Sequence, residues 1–285
     1  MNTLALETHQ KEALNERDFR RLSEFIFSNY GIKMPAEKRP MLEGRLAKRL
    51  RANNMNTFTE YCDYVFSEAG MQQEVIHMIN VVSTNKTDFF REQAHFEFLS
   101  DTILPAFGME ENARPLKIWS AASSSGEEPY TLAMVISEYN RLNNQSLQFR
   151  IYGTDISSDI LQKAISGVYT EERIANIPLA YKKRYFMANK DPQKRLVRIV
   201  PELRNACSFQ RLNLMDAGYP VKEQFDIIFC RNVLIYFDRP TQEAVINKLC
   251  KHLVPGGYFF LGHSESAMGM NVPLTTMKPT IFKKK

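Results

Sequence analysis

From Leu116 onward, short apolar runs of strand character alternate with segments of helical periodicity, and this alternation restricts the fold more than any other feature. Leu116–Ala121 leads into a helix from Gly126, Phe149–Gly153 into a helix near Ser158, and Phe225–Cys230 into a helix near Pro240. Tyr258–Gly262 follows the turn Pro255-Gly256-Gly257. A chain that alternates in this way builds an α/β domain, a mainly parallel sheet with helices on both faces. Such sheets bind ligands at the carboxyl ends of their strands, near the switch point. One stretch breaks the rhythm. Tyr185–Met187 and Leu196–Val200 can pair as an antiparallel hairpin around Ala188–Arg195, within an insertion at about 180–205.

Residues 1–80 follow a helical period instead. Asn15 can cap a helix whose apolar positions are Phe19, Leu22, Phe25, Ile26 and Tyr30, ended by Gly31. Pro40 fits the first turn of a second helix running to about Ala52, with Leu42, Leu46 and Leu50 as its apolar stripe. Thr57 and Glu60 form a capping box for a third, with Tyr61, Cys62, Val65 and Ala69 inward and Gly70 at its end; Met71–Val82 reads as a fourth. The chain thus divides into a helical domain (1–80), a linker (81–91) and a sheet domain (92–285).

Charge and cysteine content narrow the function classes. The net charge is +5, and seven basic residues between Lys33 and Arg51, against Glu37 and Glu43, account for all of it. A patch this local, with Arg45, Lys48, Arg49 and Arg51 on the second helix, suits an acidic partner surface better than a nucleic-acid channel. A merely solvated helix face is the plainer alternative. Four cysteines without a CxxC pair argue against a zinc centre or a disulfide framework, so no metal ligands are assigned and a cytoplasmic location is expected. No run approaches the roughly 18 apolar residues of a membrane span. Met1–Gln10 lacks the basic-then-apolar order of an export signal.

Four segments carry chemistry. Ile118-Trp119-Ser120-Ala121-Ala122-Ser123-Ser124-Ser125-Gly126-Glu127-Glu128-Pro129-Tyr130 is a strand that runs into small residues and then opens a helix. Small side chains at such a bend let a ligand approach the backbone, although a simple tight turn has the same composition. Its glutamates suit a ligand with hydroxyls and a cationic centre rather than a phosphate. There is no GxGxxG or GxxxxGK[ST] to support a dinucleotide or a nucleoside triphosphate. Tyr152-Gly153-Thr154-Asp155-Ile156 ends the next strand in an acid placed to accept ribose hydroxyls, or to cap the following helix. Asp226–Phe237 ends its strand in Arg231-Asn232, with Tyr236 just beyond, and lacks the [DN]PP[YF] segment of enzymes that methylate exocyclic amines. Thr84–Glu92 reads as an interdomain linker, which does not exclude a part in the site.

In this order, the segments Asn-x-Thr-x-Phe-Phe-Arg-Glu, Trp-Ser-Ala-Ala-x-Ser-x-Gly-Glu-Glu-Pro-Tyr, Thr-Asp-Ile and Phe-Cys-Arg-Asn-Val-x-Ile-Tyr-Phe resemble the chemotaxis receptor methyltransferase family (CheR), as does Gly262-His263-Ser264-Glu265. The resemblance spans about Glu16 to Phe282. It implies a Rossmann-like class I methyltransferase sheet with an N-terminal all-helical domain and a small inserted antiparallel subdomain. It further implies S-adenosylmethionine as cofactor, S-adenosylhomocysteine as product, and glutamate carboxylates on the cytoplasmic methylation helices of receptors as acceptors. By the family's pattern Asn85, Thr87, Arg91, Glu128, Asp155, Asn213, Leu214, Arg231 and Asn232 contact the cofactor, and Arg91 and Tyr236 lie nearest the methyl group. Arg45, Lys48, Arg49 and Arg51 match the helix that docks on the receptor, so charge reversal at Arg45 and Arg49 is expected to raise the apparent KM. The inserted unit is implied to hold a receptor's C-terminal tail peptide, but Ala188-Asn189-Lys190-Asp191 stands here in place of the glycines of tail-binding members. The resemblance implies neither nucleic-acid binding nor membrane insertion. The competing readings are a non-catalytic S-adenosylmethionine-binding signalling protein and a nucleic-acid methyltransferase.

Overall fold

A computed structural model describes residues 13–108 and 114–285. Met1–Gln10, read above as carrying no export signal, lies outside the described residues. The chain divides into two units between Ser83 and Thr84. Residues 84–91, assigned above to a linker, therefore belong with the sheet.

The first unit is helical, with α1 (Glu16–Tyr30), α2 (Arg39–Ala52), α3 (Phe58–Val65), α4 (Glu68–Gln73) and α5 (Val75–Val82). Its local signals act as read. The Asn15 side chain accepts from Asp18 N, and Gly31 closes α1 in the left-handed conformation. Thr57 and Glu60 form both halves of the capping box. Leu42, Leu46 and Leu50 are buried. Two boundaries differ from expectation. The third helix stops at Val65, and Ser67 caps a new helix in which Gly70 is interior and Ala69 exposed. A Cβ on Gly70 would stand 1.9 Å from the Tyr64 carbonyl oxygen, so a close backbone approach, not a helix end, requires this glycine. The expected fourth helix is broken at Glu74, whose side chain turns inward.

The second unit begins with α6 (Ala94–Phe98) and α7 (Leu104–Gly108). Its strands are β1 (Leu116–Ala121), β2 (Phe149–Asp155), β3 (Val168–Thr170), β4 (Phe186–Ala188), β5 (Leu196–Ile199), β6 (Cys207–Arg211), β7 (Phe225–Cys230), β8 (Leu253–Leu261), β9 (Leu274–Lys278) and β10 (Ile281–Lys284). Between them lie α8 (Glu127–Asn143), α9 (Ser158–Ser166), α10 (Leu179–Tyr185), α11 (Pro201–Ala206) and α12 (Arg239–Cys250). Among the described residues the main sheet has the order β6-β2-β1-β7-β8-β10-β9, parallel from β6 to β8, with β10 antiparallel to both its neighbours. The order reverses between β1 and β7, which opens the crevice where such sheets bind ligands. Side chains alternate between faces along each strand. Ile118, Ile227 and Phe229 join one core with Leu132, Ala133 and Met134 of α8, while Trp119, Ile228 and Cys230 join another with Val245, Ile246 and Leu249 of α12.

Two features were not anticipated. The Pro255-Gly256-Gly257 segment does not precede β8 but bulges within it, so that β7 pairs Phe225 with Leu253 and then Ile227 with Tyr258. The insertion contains the expected β4–β5 hairpin and a third strand, β3, on the other side of β5. It therefore begins near Val168 rather than 180. No helix among the described residues is long and apolar enough to cross a membrane.

Candidate active site

The bend after β1 is shaped by backbone conformation. Ala122, Ser124 and Gly126 all have positive φ (70°, 49° and 94°). Such values cost an alanine or serine of order 1 kcal/mol or more and persist where surrounding structure holds them. The holding contacts come from β2: Ser123 N donates to Thr154 O at 2.8 Å, and Ser124 N donates to the Asp155 carboxylate at 2.9 Å. At Gly126 a Cβ would also meet Ala164, Tyr130 and Tyr169 at about 3 Å. The result is a strand end lined by small side chains, from which α8 departs.

Asp155 occupies the end of β2, buried, with its second oxygen accepting from Ser157 N at 3.0 Å. Burial pushes its carboxyl up, against the backbone donors Ser157, Ser124 and Ile156. It is not the cap of α9; the Ser157 hydroxyl, accepting from Ile160 N, is. Each carboxylate oxygen keeps a lone pair beyond its backbone bond, so acceptor capacity remains for ligand hydroxyls. The Asp155 carbonyl accepts from Leu212 N, which sets Asn213 and Leu214 beside the same strand end, and the Asn213 side chain caps the turn by accepting from Met215 N.

At the end of β7, Arg231 is buried in the middle of a charged cluster. It donates to Glu128 at 2.8 Å, to Glu92 at 2.9 Å and to the Arg91 carbonyl, and lies over the Phe96 and Phe229 rings. The other Glu128 oxygen accepts from the Ser120 hydroxyl. Glu92 also accepts from the Asn232 side chain and His263 N. Burial works to raise the Glu92 carboxyl, but the Asn232 hydrogen bond and the Arg231 charge outweigh it and hold it at about 2. Phe90, Glu92 and Asn232 have positive φ as well, so strained backbone gathers around this one crevice. His95 stands behind Glu92, and burial, with Arg231 nearby, pushes its ring down to about 4.

The remaining expected residues fall at the same edge of the sheet. Asn85 offers its carbonyl to the Ser124 hydroxyl, and the Arg91 guanidinium reaches the Lys86 carbonyl at 3.1 Å. Tyr236 is half-buried on the turn Leu234–Tyr236. Sequence reasoning missed four participants. Glu265 accepts from four backbone N–H groups, of Gly262, Asn232, Val233 and Leu234, and so fixes the loop carrying Arg231 and Tyr236. Arg173, beyond β3, bridges Glu127, Asp88 and the Thr87 carbonyl, while Tyr169 of β3 donates to Ser125 O. Glu92 stood inside a quoted motif without a role. Glu265 was likewise quoted without one, and nothing in the sequence marked Arg173.

The docking residues belong to the other unit. Arg49 forms a two-pronged ion pair with Glu74, both bonds 2.7 Å, and Arg45 donates to the Val82 and Ser83 carbonyls. Lys48 and Arg51 are exposed.

A reversed parallel sheet with an acid-ended second strand, a small-residue bend and polar groups at the switch point defines a nucleoside-binding transferase site. Glu128 and Asp155 supply acceptors, Asn213 and Asn232 supply amides, and the open bend admits a ligand to the backbone. This donor set fits S-adenosylmethionine. Residues 85–282 match the family model "CheR methyltransferase, SAM binding domain", and residues 17–83 match "CheR methyltransferase, all-alpha domain". The chain is 38% identical to a chemotaxis protein methyltransferase of Borreliella burgdorferi, covering 100% of both chains. It is 36% identical to one of Escherichia coli, covering 98% of this chain and 95% of that one. A third, from Pseudomonas aeruginosa, is 36% identical over 96% of this chain and 95% of its own. The fold and site thus define an S-adenosylmethionine-dependent methyltransferase. The chain belongs to the CheR family, whose methylation serves chemotaxis.

Proposed function

We propose that this enzyme methylates glutamate side-chain carboxylates on the cytoplasmic helices of chemotaxis receptors, working in the cytoplasm. The observation that carries the reading is the convergence of Glu128, Asp155, Asn213 and the Arg231–Asn232 loop at the switch point. S-adenosylmethionine, when bound, supplies an electrophilic methyl carbon on a sulfonium.

An exposed glutamate has a pKa near ~4.3, so the acceptor is already ionised at neutral pH and needs no general base. The protein's task is then positioning and exclusion of water, and positioning alone is worth several kcal/mol. Asp155 and Glu128 would accept from the cofactor's hydroxyl and amino groups, and Asn85, Thr87, Asn213, Leu214 and Asn232 would help to hold it. Arg231, with both terminal nitrogens engaged, braces Glu128 and Glu92 rather than reaching the ligand itself. Arg91 orients the incoming carboxylate and Tyr236 gives it a hydrogen bond. A tighter contact from Arg91 to the attacking oxygen would quench its nucleophilicity, so Arg91→Ala lowers turnover more than cofactor affinity. Lys48 and Arg51 steer the acidic receptor helices, with Arg45 partly held by its own backbone contacts.

Incubating the full chain with methyl-labelled cofactor and acidic receptor fragments tests the reading. Base-labile label on receptor glutamates is expected. Label on nucleic acid, or cofactor binding without transfer, would replace it with one of the two competing readings.

A further inference from the structure

We propose that Glu92, His95 and His263 form a binding site for one divalent transition-metal cation of the zinc type. The site lies behind the cofactor crevice, and its metal takes no part in the chemical step of methyl transfer.

The Thr280 hydroxyl donates its proton to the Pro279 carbonyl at 2.6 Å. With its proton so placed, it accepts from His95 Nε2, 2.8 Å away. In that arrangement the neutral ring carries its proton on Nε2 and has a lone pair on Nδ1. That nitrogen is fully buried and has no hydrogen-bond partner. It points at Glu92 Oε2, 3.6 Å distant. In this tautomer two acceptors face each other across a gap with no donor between them. Such a pair is stabilised by a cation.

His263 supplies a third ligand atom, its Nε2 lying 3.9 Å from the same Glu92 oxygen, and one ligand atom from each of the three residues falls within 4.8 Å of the others. A tetrahedral zinc ion with bonds of about 2.0–2.1 Å sets its ligand atoms about 3.4 Å apart. The site is therefore a slightly open version of the two-histidine, one-carboxylate set, and His263, exposed on its loop, can close it. The Thr280 contact to the far side of His95 is the kind of outer bond that orients a metal-ligating imidazole.

Charge and access agree. Glu92 and Glu128 outnumber Arg231 by one negative charge within the cluster. A cavity of about 570 Å³, lined by His95, His263, Glu97, Asp101 and Lys278 among others, offers an entry path. A bound cation would also pull on the Glu92 carboxylate that holds Arg231 and Asn232, so occupancy is expected to slow methyl transfer.

Calorimetric titration of the full chain with zinc chloride, with and without His263→Ala, tests the site. One equivalent bound by the wild type and at least tenfold weaker binding by the variant are expected. Titration with cobalt(II) should give the visible spectrum of a nitrogen- and oxygen-ligated ion, absent in His263→Ala. Methyl transfer by the wild type should be inhibited at the same zinc concentrations, and inhibition of the variant, relative to its own metal-free rate, should need at least tenfold more. Equal affinity in the two proteins, no stoichiometric binding, or a thiolate-to-cobalt band that persists in the variant would each overturn the proposal.

Discussion

Replacing Arg49 with methionine removes both charged bonds to Glu74, each 2.7 Å, while roughly keeping the side chain's volume. Glu74 is 2% exposed, and only the neutral donors Tyr61, at 2.9 Å, and Asn53 would remain. Breaking a buried ion pair from one side costs about 3–5 kcal/mol, because the survivor is left charged in a dry place. Burial raises the Glu74 carboxyl, but hydrogen bonds from Arg49, Tyr61 and Asn53 outweigh it, so in the wild type it lies below its ordinary value. A depressed carboxyl contributes stability that is present above its unfolded pKa, near ~4.3, and lost as pH falls through its folded value. In Arg49→Met only burial and the remaining hydrogen bonds act, so protonation relieves the variant while it weakens the wild type. Urea unfolding followed by far-ultraviolet circular dichroism should show a deficit of about 3–5 kcal/mol at pH 7 that shrinks toward pH 4. A deficit below about 1 kcal/mol, the scale of an exposed pair, or one independent of pH, would refute the argument. Charge reversal at Arg49, which the basic-patch reading alone recommends as a docking test, therefore measures folding first.

Three further outcomes follow from the same geometry. Lys48→Glu with Arg51→Glu, both exposed, should raise the KM for receptor fragments at low salt and leave cofactor affinity unchanged; the effect should fade toward about 1 M salt, where screening reaches roughly 3 Å. Asp155→Ala loses charge-assisted hydrogen bonds worth about 1.5–3 kcal/mol, so the cofactor Kd by calorimetry should rise roughly tenfold to a hundredfold. At Gly262 a Cβ would meet the Asn232 side-chain nitrogen at 2.5 Å and its backbone nitrogen at 2.8 Å. Overpacking of this kind costs about 1–3 kcal/mol, and Gly262→Ala should lower kcat/KM by at least tenfold as Asn232 is displaced.

The parts of the fold that sequence made legible are those governed by neighbours in the chain. Asn15, Thr57 and Gly31 act through bonds to residues three or four positions away, so their helices can be read without knowing the fold. The strands β1, β2 and β7 are buried through most of their length and read as apolar runs for that reason. By contrast, β6 and β9 are mostly exposed or half-buried and carry no such run. Gly70 looked like a helix end because a glycine required by a close approach of Tyr64 and one required by a left-handed cap have the same letter.

The site divides along the same line, and the division says how it is built. Motif residues reach the crevice by chain proximity, but the contacts that fix them span the domain: Arg231 to Glu92 across 139 positions, Asn232 to Glu265 across 33, Arg173 to Glu127 across 46. The family resemblance implies a cofactor contact for Arg231, one of the polar groups at the mouth of the sheet. Here its side chain is 2% exposed, held between two carboxylates and two aromatic rings. A group so enclosed serves by keeping Glu128 and the Arg91–Glu92 backbone in place while ligands come and go. The positive φ values at Ala122, Ser124, Phe90, Glu92 and Asn232 need such fixed partners, since a strained backbone relaxes once they are removed. The enclosed charges therefore preorganise the bend, which is what the proposed transfer, needing no acid or base, would require of its enzyme.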